Sequence, residues 1–276
     1  MDASRPPRAL SIAGSDSGGG AGIQADLKAF AACGVHGMTA ITAITAQNTL
    51  GVSAIHQVPP EMIVEQVRAV LADIGVDAVK IGMLGTDETI DAVLEALDLL
   101  PAGTPVVIDP VMVSESGAVL LEPAAQRSLV SRLLPLATVV TPNIPEARAI
   151  AELAGAPGDS GRLNEVEALA AAIHGLGPTA VVLTGGHRES THDVFLDALG
   201  AVEIPGERFP DGAAHGSGCT HSSVLAARLA FGDSPLQAAR EAKRLASQAV
   251  ANGLRGIGAG AGPVDVLGVA RRAIDR

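Results

Sequence analysis

Residues 77–111 read DAVKIGMLGTDETIDAVLEALDLLPAGTPVVIDPV, and the parsing of that stretch decides the fold. DAVKIGML (77–84) and TPVVIDPV (104–111) are short runs rich in Val and Ile, the mark of strands. Between them, TDETIDAVLEALDLL (86–100) places apolar residues at helical spacing. Thr86 stands as N-cap, and the acidic residues after it meet the positive end of the helix dipole. Strand, helix and strand in this order form a βαβ unit with a right-handed crossover.

The alternation continues in both directions. ALSIA (9–13) and MTAITAITAQN (38–48) read as strands, and PPEMIVEQVRAVLADIG (59–75) as a helix with Pro at its start and Gly at its end. Downstream come a helix (123–135), a strand (137–143), a helix (145–153), a helix (164–177) and a strand (179–186). DVFLDALGAVEIPGERF (193–209) reads as antiparallel strands around Gly200, and helices follow at 217–232 and 234–254. Such a series predicts one α/β domain over residues 1–276, with a mostly parallel sheet covered by helices on both faces. Residues 1–7 are expected to form a flexible N-terminal extension. The glycine-rich 253–263 reads as a loop.

At this length a chain buries roughly 75% of its unfolded surface, enough for one large core. Nineteen basic residues against thirty acidic ones leave a net charge of −11. No basic stripe is visible, aromatic content is 1%, and Trp and Tyr are absent, which argues against nucleic-acid binding. An anion must therefore be held by local devices such as helix N-termini, backbone N–H groups or a metal ion. Cys33 and Cys219 are the only cysteines and lie far apart, so neither a zinc site nor a disulfide framework is indicated. No apolar run reaches membrane-spanning length, and no secretory signal is recognisable. A cytoplasmic location is expected.

Ligands of open α/β sheets sit beyond the carboxyl ends of the strands. The residues that follow the expected strands are GSDSGGGAG, QN, GML, DPVM, TPNIPE and TGGHRE. Asp109 and Glu146 fall at two of these ends and are placed to share a divalent cation. The other concentration is HGSGCTHSS (215–223), directly before a helix. There the N–H groups of Gly216, Ser217, Gly218 and Cys219 would point out of the helix mouth at an anion. Cys219 would lie in the first turn, where the dipole is expected to lower its pKa. An anion cradle, a metal pair and a small-residue pocket together suggest phosphoryl transfer. GxxxxGK[ST] and the protein-kinase motifs are absent, and GIGAGAG is a weak dinucleotide match.

SIAGSDSGGGAGIQADLKAF, TAITAQNTLGV, KIGMLG, VVIDPVM, TPNIPEA, GGH and HGSGCT occur in this order over nearly the whole chain. Through them the chain resembles the hydroxymethylpyrimidine/phosphomethylpyrimidine kinases of thiamine biosynthesis, in the ribokinase-like superfamily. The resemblance implies a ribokinase-like three-layer sandwich, ATP and Mg²⁺ as cofactors, and two successive phosphorylations of 4-amino-5-hydroxymethyl-2-methylpyrimidine. It also implies a homodimer. By the same resemblance Gln47 reads the aminopyrimidine edge, and Gly14, Asp26 and Met83 surround the ring. Asp109 and Glu146 take the metal, while Asn143, Thr184 and Gly186 take the nucleotide. Gly216, Gly218 and Cys219 form the anion hole and flank the reacting hydroxyl.

Blander readings stand beside these. Asp26 can cap a helix or hold the glycine-rich loop, Gln47 can be a satisfied strand-end amide, and Met83 can be plain core. His187, His215 and His221 read as structural, and Cys33 as inert. Two departures from the family pattern are present. Thr184 stands where many relatives carry lysine, with Arg188 or Lys80 as candidate replacements, and the 257–263 loop lacks an expected histidine. The closest rival is a pyridoxal or pyridoxine kinase. A non-catalytic pyrimidine-binding sensor is the alternative from another class, and a sugar kinase fits Gln47 less well.

Overall fold

A computed structural model of the chain describes residues 5–114, 117–156, 165–185, 191–209 and 213–274. Among the described residues nine strands form one sheet: β1 (Arg8–Asp16), β2 (His36–Asn48), β3 (Gly51–Gln57), β4 (Ala78–Ile81), β5 (Val106–Ile108), β6 (Val139–Val140), β7 (Ala180–Leu183), β8 (Asp193–Asp197) and β9 (Gly200–Ile204). Their spatial order is β3-β2-β1-β4-β5-β6-β7-β8-β9. The six strands from β2 to β7 in that order run parallel, β3 and β8 run against them at the two sides, and β9 pairs antiparallel with β8. Residues 51–57 were not legible as a strand. They form an edge whose side chains are mostly exposed, so no apolar alternation marks them.

The helices are α1 (Gly22–Ala32), α2 (Pro60–Asp73), α3 (Asp87–Asp98), α4 (Pro123–Ser128), α5 (Ile144–Leu153), α6 (Glu165–His174), α7 (Ser217–Ala230), α8 (Pro235–Ala251) and α9 (Val269–Ile274). Two cores lie on the two faces of the sheet. Helices α2 to α6 cover one with Val106, Ile108, Val140, Val181 and Leu183. Helices α1, α7 and α8 cover the other with Val107, Val139, Ala180 and Val182. Successive strand residues thus serve opposite cores, as the period of two requires.

The N-caps follow the sequence: Thr86 accepts from the Thr89 N–H, and Asn143 and Ser234 close capping boxes. The helix expected over 123–135 changes pitch. After α4 it widens to a π turn at Leu129–Leu133 and a 3-10 turn at Leu134–Leu136. Pro135 has no N–H and would crowd the carbonyl four residues back, so the regular ladder cannot pass it. The expected loose extension also needs correction from residue 5 onward. Arg5 pairs with Asp77 at 3.5 Å, and the His36 N–H donates to the Pro7 carbonyl at 2.8 Å. No helix among the described residues is long and apolar enough to cross a membrane.

Candidate active site

Six parallel strands deliver their carboxyl ends to one edge. In spatial order these ends present Gln47 (β2), Ser15 and Asp16 (β1), Met83 (β4), Asp109 (β5), Asn143 (β6) and Thr184 (β7). Neighbouring strands lie about 4.8 Å apart, so β2, β1 and β4 span roughly 10 Å, the width of a small ring with its substituents. The strands from β5 to β7 give as much again. Helix α7 lies over β1, β4 and β5, so its N-terminus stands between the two halves of the row.

The half of the row from β2 to β4 is built of small or flat surfaces. Gly14 is packed on Met83, whose sulfur would stand 3.1 Å from a Cβ on Gly14. Met83 is 9% exposed, and its carbonyl accepts from Thr42 Oγ1 at 2.7 Å. Gln47 is half-buried on the edge hairpin, with Thr45 Oγ1 3.0 Å from its Oε1. Its backbone is tied to the glycine-rich loop: the Gln47 N–H donates to Ser17 Oγ, and Ser17 Oγ donates to the Gln47 carbonyl, both at 2.8 Å.

The glycine-rich loop and the mouth of α7 meet. Gly216 is the N-cap of α7 at φ 81°, a conformation that favours glycine, and a Cβ there would overlap the Gly20 carbonyl oxygen. Gly218 is the opposite case. A Cβ on it meets nothing within 4 Å, and its backbone is ordinary helix. Neither packing nor dihedral angle calls for glycine there, and glycine weakens a helix relative to alanine. Open space in front of a helix mouth, with no side-chain cap and no acidic residue in the first turn, is suited to an anion. The expected set of N–H donors shrinks by one, because the Ser217 N–H donates to the Ala214 carbonyl at 2.9 Å.

Asp26 is not at the pocket surface. It lies within α1, fully buried, and does not cap that helix. Lys80 Nζ donates to its two oxygens at 2.9 and 3.1 Å, Ser11 Oγ at 2.6 Å and Ser223 Oγ at 2.7 Å. Lys80 is equally buried. Burial works against its charge, but Asp26, Cys219 and Asp109 hold its pKa raised. Lys80 is therefore committed beneath the site and does not substitute for a lysine at position 184. Cys219 departs from its expectation too. Burial pushes its thiol up to about 12, against the pull of Lys80, so desolvation outweighs the dipole.

In the other half, Asp109 is 6% exposed and accepts from Ser222 Oγ at 2.9 Å. Burial raises its pKa against the opposing effects of Lys80 and Ser222. Glu146 is pushed up to about 8, by burial first and by the Asp109 charge second. Its carboxylate accepts from the Asn143 N–H at 2.9 Å while the Asn143 side chain accepts from the Glu146 N–H. Asn143 thus caps α5, and it bridges to Thr184 on the next strand. Gly186, His187 and Arg188 lie outside the described residues. Among the described residues no group of three or more His, Cys, Asp or Glu side chains encloses a metal position. Mg²⁺ held by one or two carboxylates, waters and phosphates needs no such cage. Burial raises both carboxyls, and the Asp109 charge raises Glu146 further, a donor set whose chemistry fits a divalent cation.

The structure adds groups that sequence reasoning passed over. Asp16 is buried and gathers three backbone N–H groups of the glycine-rich loop, and His215 Nε2 stands 3.2 Å from its Oδ2. The signal was an aspartate one residue ahead of a glycine run, where a carboxylate commonly folds back on the N–H groups that follow. Ser222 and Ser223, polar residues on the buried side of α7, were equally visible as misfits in an apolar face.

A family described as phosphomethylpyrimidine kinase matches residues 16–265. A hydroxymethylpyrimidine/phosphomethylpyrimidine kinase of Rhizobium meliloti is 48% identical over 260 residues, covering 93% of this chain and 95% of that protein. A phosphomethylpyrimidine kinase structure from Clostridium difficile superposes with TM-score 0.75 at 39% identity, over 88% of this chain and 99% of that one. The pyridoxal kinase of Staphylococcus aureus, in complex with AMP-PCP and pyridoxal, gives TM-score 0.83 at 34% identity, over 97% and 96%.

Proposed function

This chain belongs to the phosphomethylpyrimidine kinase family, and from that premise we propose that it phosphorylates the hydroxymethyl group of 4-amino-5-hydroxymethyl-2-methylpyrimidine with ATP and then converts the monophosphate to the diphosphate. It is a kinase of the thiamine pathway with a ribokinase-like fold. One observation carries the site assignment: Gly218 keeps open space at the mouth of α7, a few residues from the loop that borders the ring seat.

The ring lies against Gly14 and Met83, with Gln47 at its edge. An amide offers both a donor and an acceptor, which matches an aminopyrimidine. The N–H groups of Gly218 and Cys219 take the charge of the phosphoryl group in transfer, in a setting where fixed dipoles count for more than in water. The loose transition state places little demand on a base, so a thiol that stays neutral is tolerable beside the accepting hydroxyl. Asp26 and Lys80 act through position, by holding α1, β4 and α7 in register beneath the seat. Asn143 and Thr184 border the nucleotide phosphates. Asp109 and Glu146 would hold Mg²⁺, which when bound neutralises charge along the phosphates. The resemblance extends the proposal to a cytoplasmic homodimer, testable by sedimentation and cell fractionation.

Mass spectrometry of products from ATP, Mg²⁺ and the aminopyrimidine alcohol tests the activity. Mono- and diphosphate are expected. ATP binding without either product would favour the sensor reading. The Staphylococcus aureus neighbour in complex with pyridoxal supports a second reading, pyridoxal phosphorylation at the same seat. Parallel turnover on pyridoxal decides between them.

A further inference from the structure

Gln47 at the ring seat and Gly218 at the phosphoryl seat are connected by a short series of contacts. Gln47 exchanges two backbone hydrogen bonds with Ser17 Oγ. The next residue back, Asp16, accepts from the N–H groups of Gly18 at 2.8 Å, Gly20 at 3.0 Å and Ala21 at 2.8 Å. Asp16 Oδ2 also lies 3.2 Å from Nε2 of His215. His215 directly precedes the N-cap Gly216, and its own backbone is fixed to the C-terminal segment. Its N–H donates to the Gly262 carbonyl at 3.2 Å, and its carbonyl accepts from the Val264 N–H at 3.1 Å. The imidazole lies so close to Gly20 that a Cβ on that glycine would overlap it.

A loop of consecutive glycines has no side chains with which to hold its place. Its position is set by what its N–H groups bond to, and three of them bond to one buried carboxylate. Burial works against the Asp16 charge, yet His215 and the N–H groups of Ala21 and Gly18 hold its pKa below the ordinary carboxylate range. The carboxylate stays ionised and able to accept from four donors.

We propose that Asp16 and His215 are a positioning pair that sets the distance between the ring seat and the phosphoryl seat, so that filling one seat strengthens binding at the other. This rests on the assignment of the two seats made above. Reacting atoms must approach to about 3–3.5 Å, and a misplacement of about 1 Å can cost on the order of 100-fold in rate. A link between the two walls therefore acts on turnover more than on either affinity.

The test compares the parent with His215→Leu, His215→Gln and Asp16→Asn. The readouts are kcat, the two KM values, and the Kd of the aminopyrimidine alcohol with and without AMP-PCP. His215→Leu removes the donor. His215→Gln keeps an N–H near the Nε2 position. Asp16→Asn leaves an amide that repels some of the loop N–H groups. We expect His215→Leu to lose about 10- to 100-fold in kcat, with each KM within about threefold. Its ratio of the two Kd values should fall to one from a parent ratio above one, and His215→Gln should recover most of both losses. Asp16→Asn should lose at least as much as His215→Leu, and the histidine variants carry the test if it does not fold. A parent ratio of one, a His215→Leu kcat within twofold of the parent, or a loss that His215→Gln does not recover would overturn the proposal. Failure of the parent to form phosphorylated product would instead count against the assigned reaction.

Discussion

Lys80 and Asp26, both without solvent exposure, form an ion pair at 2.9 Å against α7, whose Ser223 Oγ donates to Asp26. Removing one partner of such a pair leaves an uncompensated buried charge, at a cost of about 3–5 kcal/mol. Lys80→Met and Asp26→Asn should each destabilise strongly in urea unfolding. Lys80→Met with Asp26→Leu should cost less than either change alone. If Asp26→Asn kept its stability and only raised the KM for the pyrimidine, Asp26 would be a ring contact after all.

Two glycines of the α7 mouth should separate stability from turnover. Gly216→Ala meets both a left-handed conformation and the Gly20 carbonyl, so its Tm should fall. The conformation alone costs roughly 1–2 kcal/mol. Gly218→Ala meets nothing and gains helix propensity, so its Tm should hold or rise. Its added methyl occupies the seat of the transferred group, and kcat/KM for ATP should drop by about tenfold or more. Calorimetry and steady-state kinetics on the two variants check this.

The Cys219 thiol, pushed up to about 12, should be a poor nucleophile at neutral pH. Cys33, raised by burial to about 11, should behave likewise. A raised thiol pKa means less thiolate at a given pH, so carboxymethylation at pH 8 should run more than about 100-fold slower than for a free cysteine near 8.5. The rate should climb about tenfold per pH unit up to those pKa values. Mass spectrometry of alkylated peptides against pH gives the answer. Cys219→Asp places a charge beside the monophosphate dianion, so the second phosphorylation should suffer more than the first. Equal losses in the two half-reactions would remove that explanation of the thiol.

Gln47→Ala should raise the KM for the aminopyrimidine by about 10- to 100-fold, the worth of one or two hydrogen bonds to a polar edge. The KM for ATP should stay within about threefold. Gln47 is half-buried at a sheet edge, so thermal stability should move little. An equal rise in both KM values would place Gln47 outside the ring seat.

The α/β alternation, the N-caps and the row of polar strand ends were legible because each is a local pattern. Thr86 before an acidic turn and the Val-rich runs on either side of it declare themselves within a few residues. The edge strand at Gly51–Gln57 was not legible, because exposure removes the alternation that marks a half-buried strand. The π turn before Pro135 was legible only as a proline in a helix, since the change of pitch depends on what the following turn can still bond to.

The chemical inventory, with its glycines, paired carboxylates and lone thiol at a helix start, was determined by the sequence alone, and so was the α/β alternation that carries it, apart from the edge strand. Tertiary structure decided which of those residues meet open space and which are used up. Asp26 carries the same side chain wherever it stands, but 54 residues of chain return Lys80 to it, and 197 return Ser223. Cys219 sits at a helix mouth that favours a thiolate, yet burial among carboxylates holds it as a thiol. Charge state and accessibility depend on every neighbour within a few ångströms, and those neighbours come from strands and helices far apart in the chain.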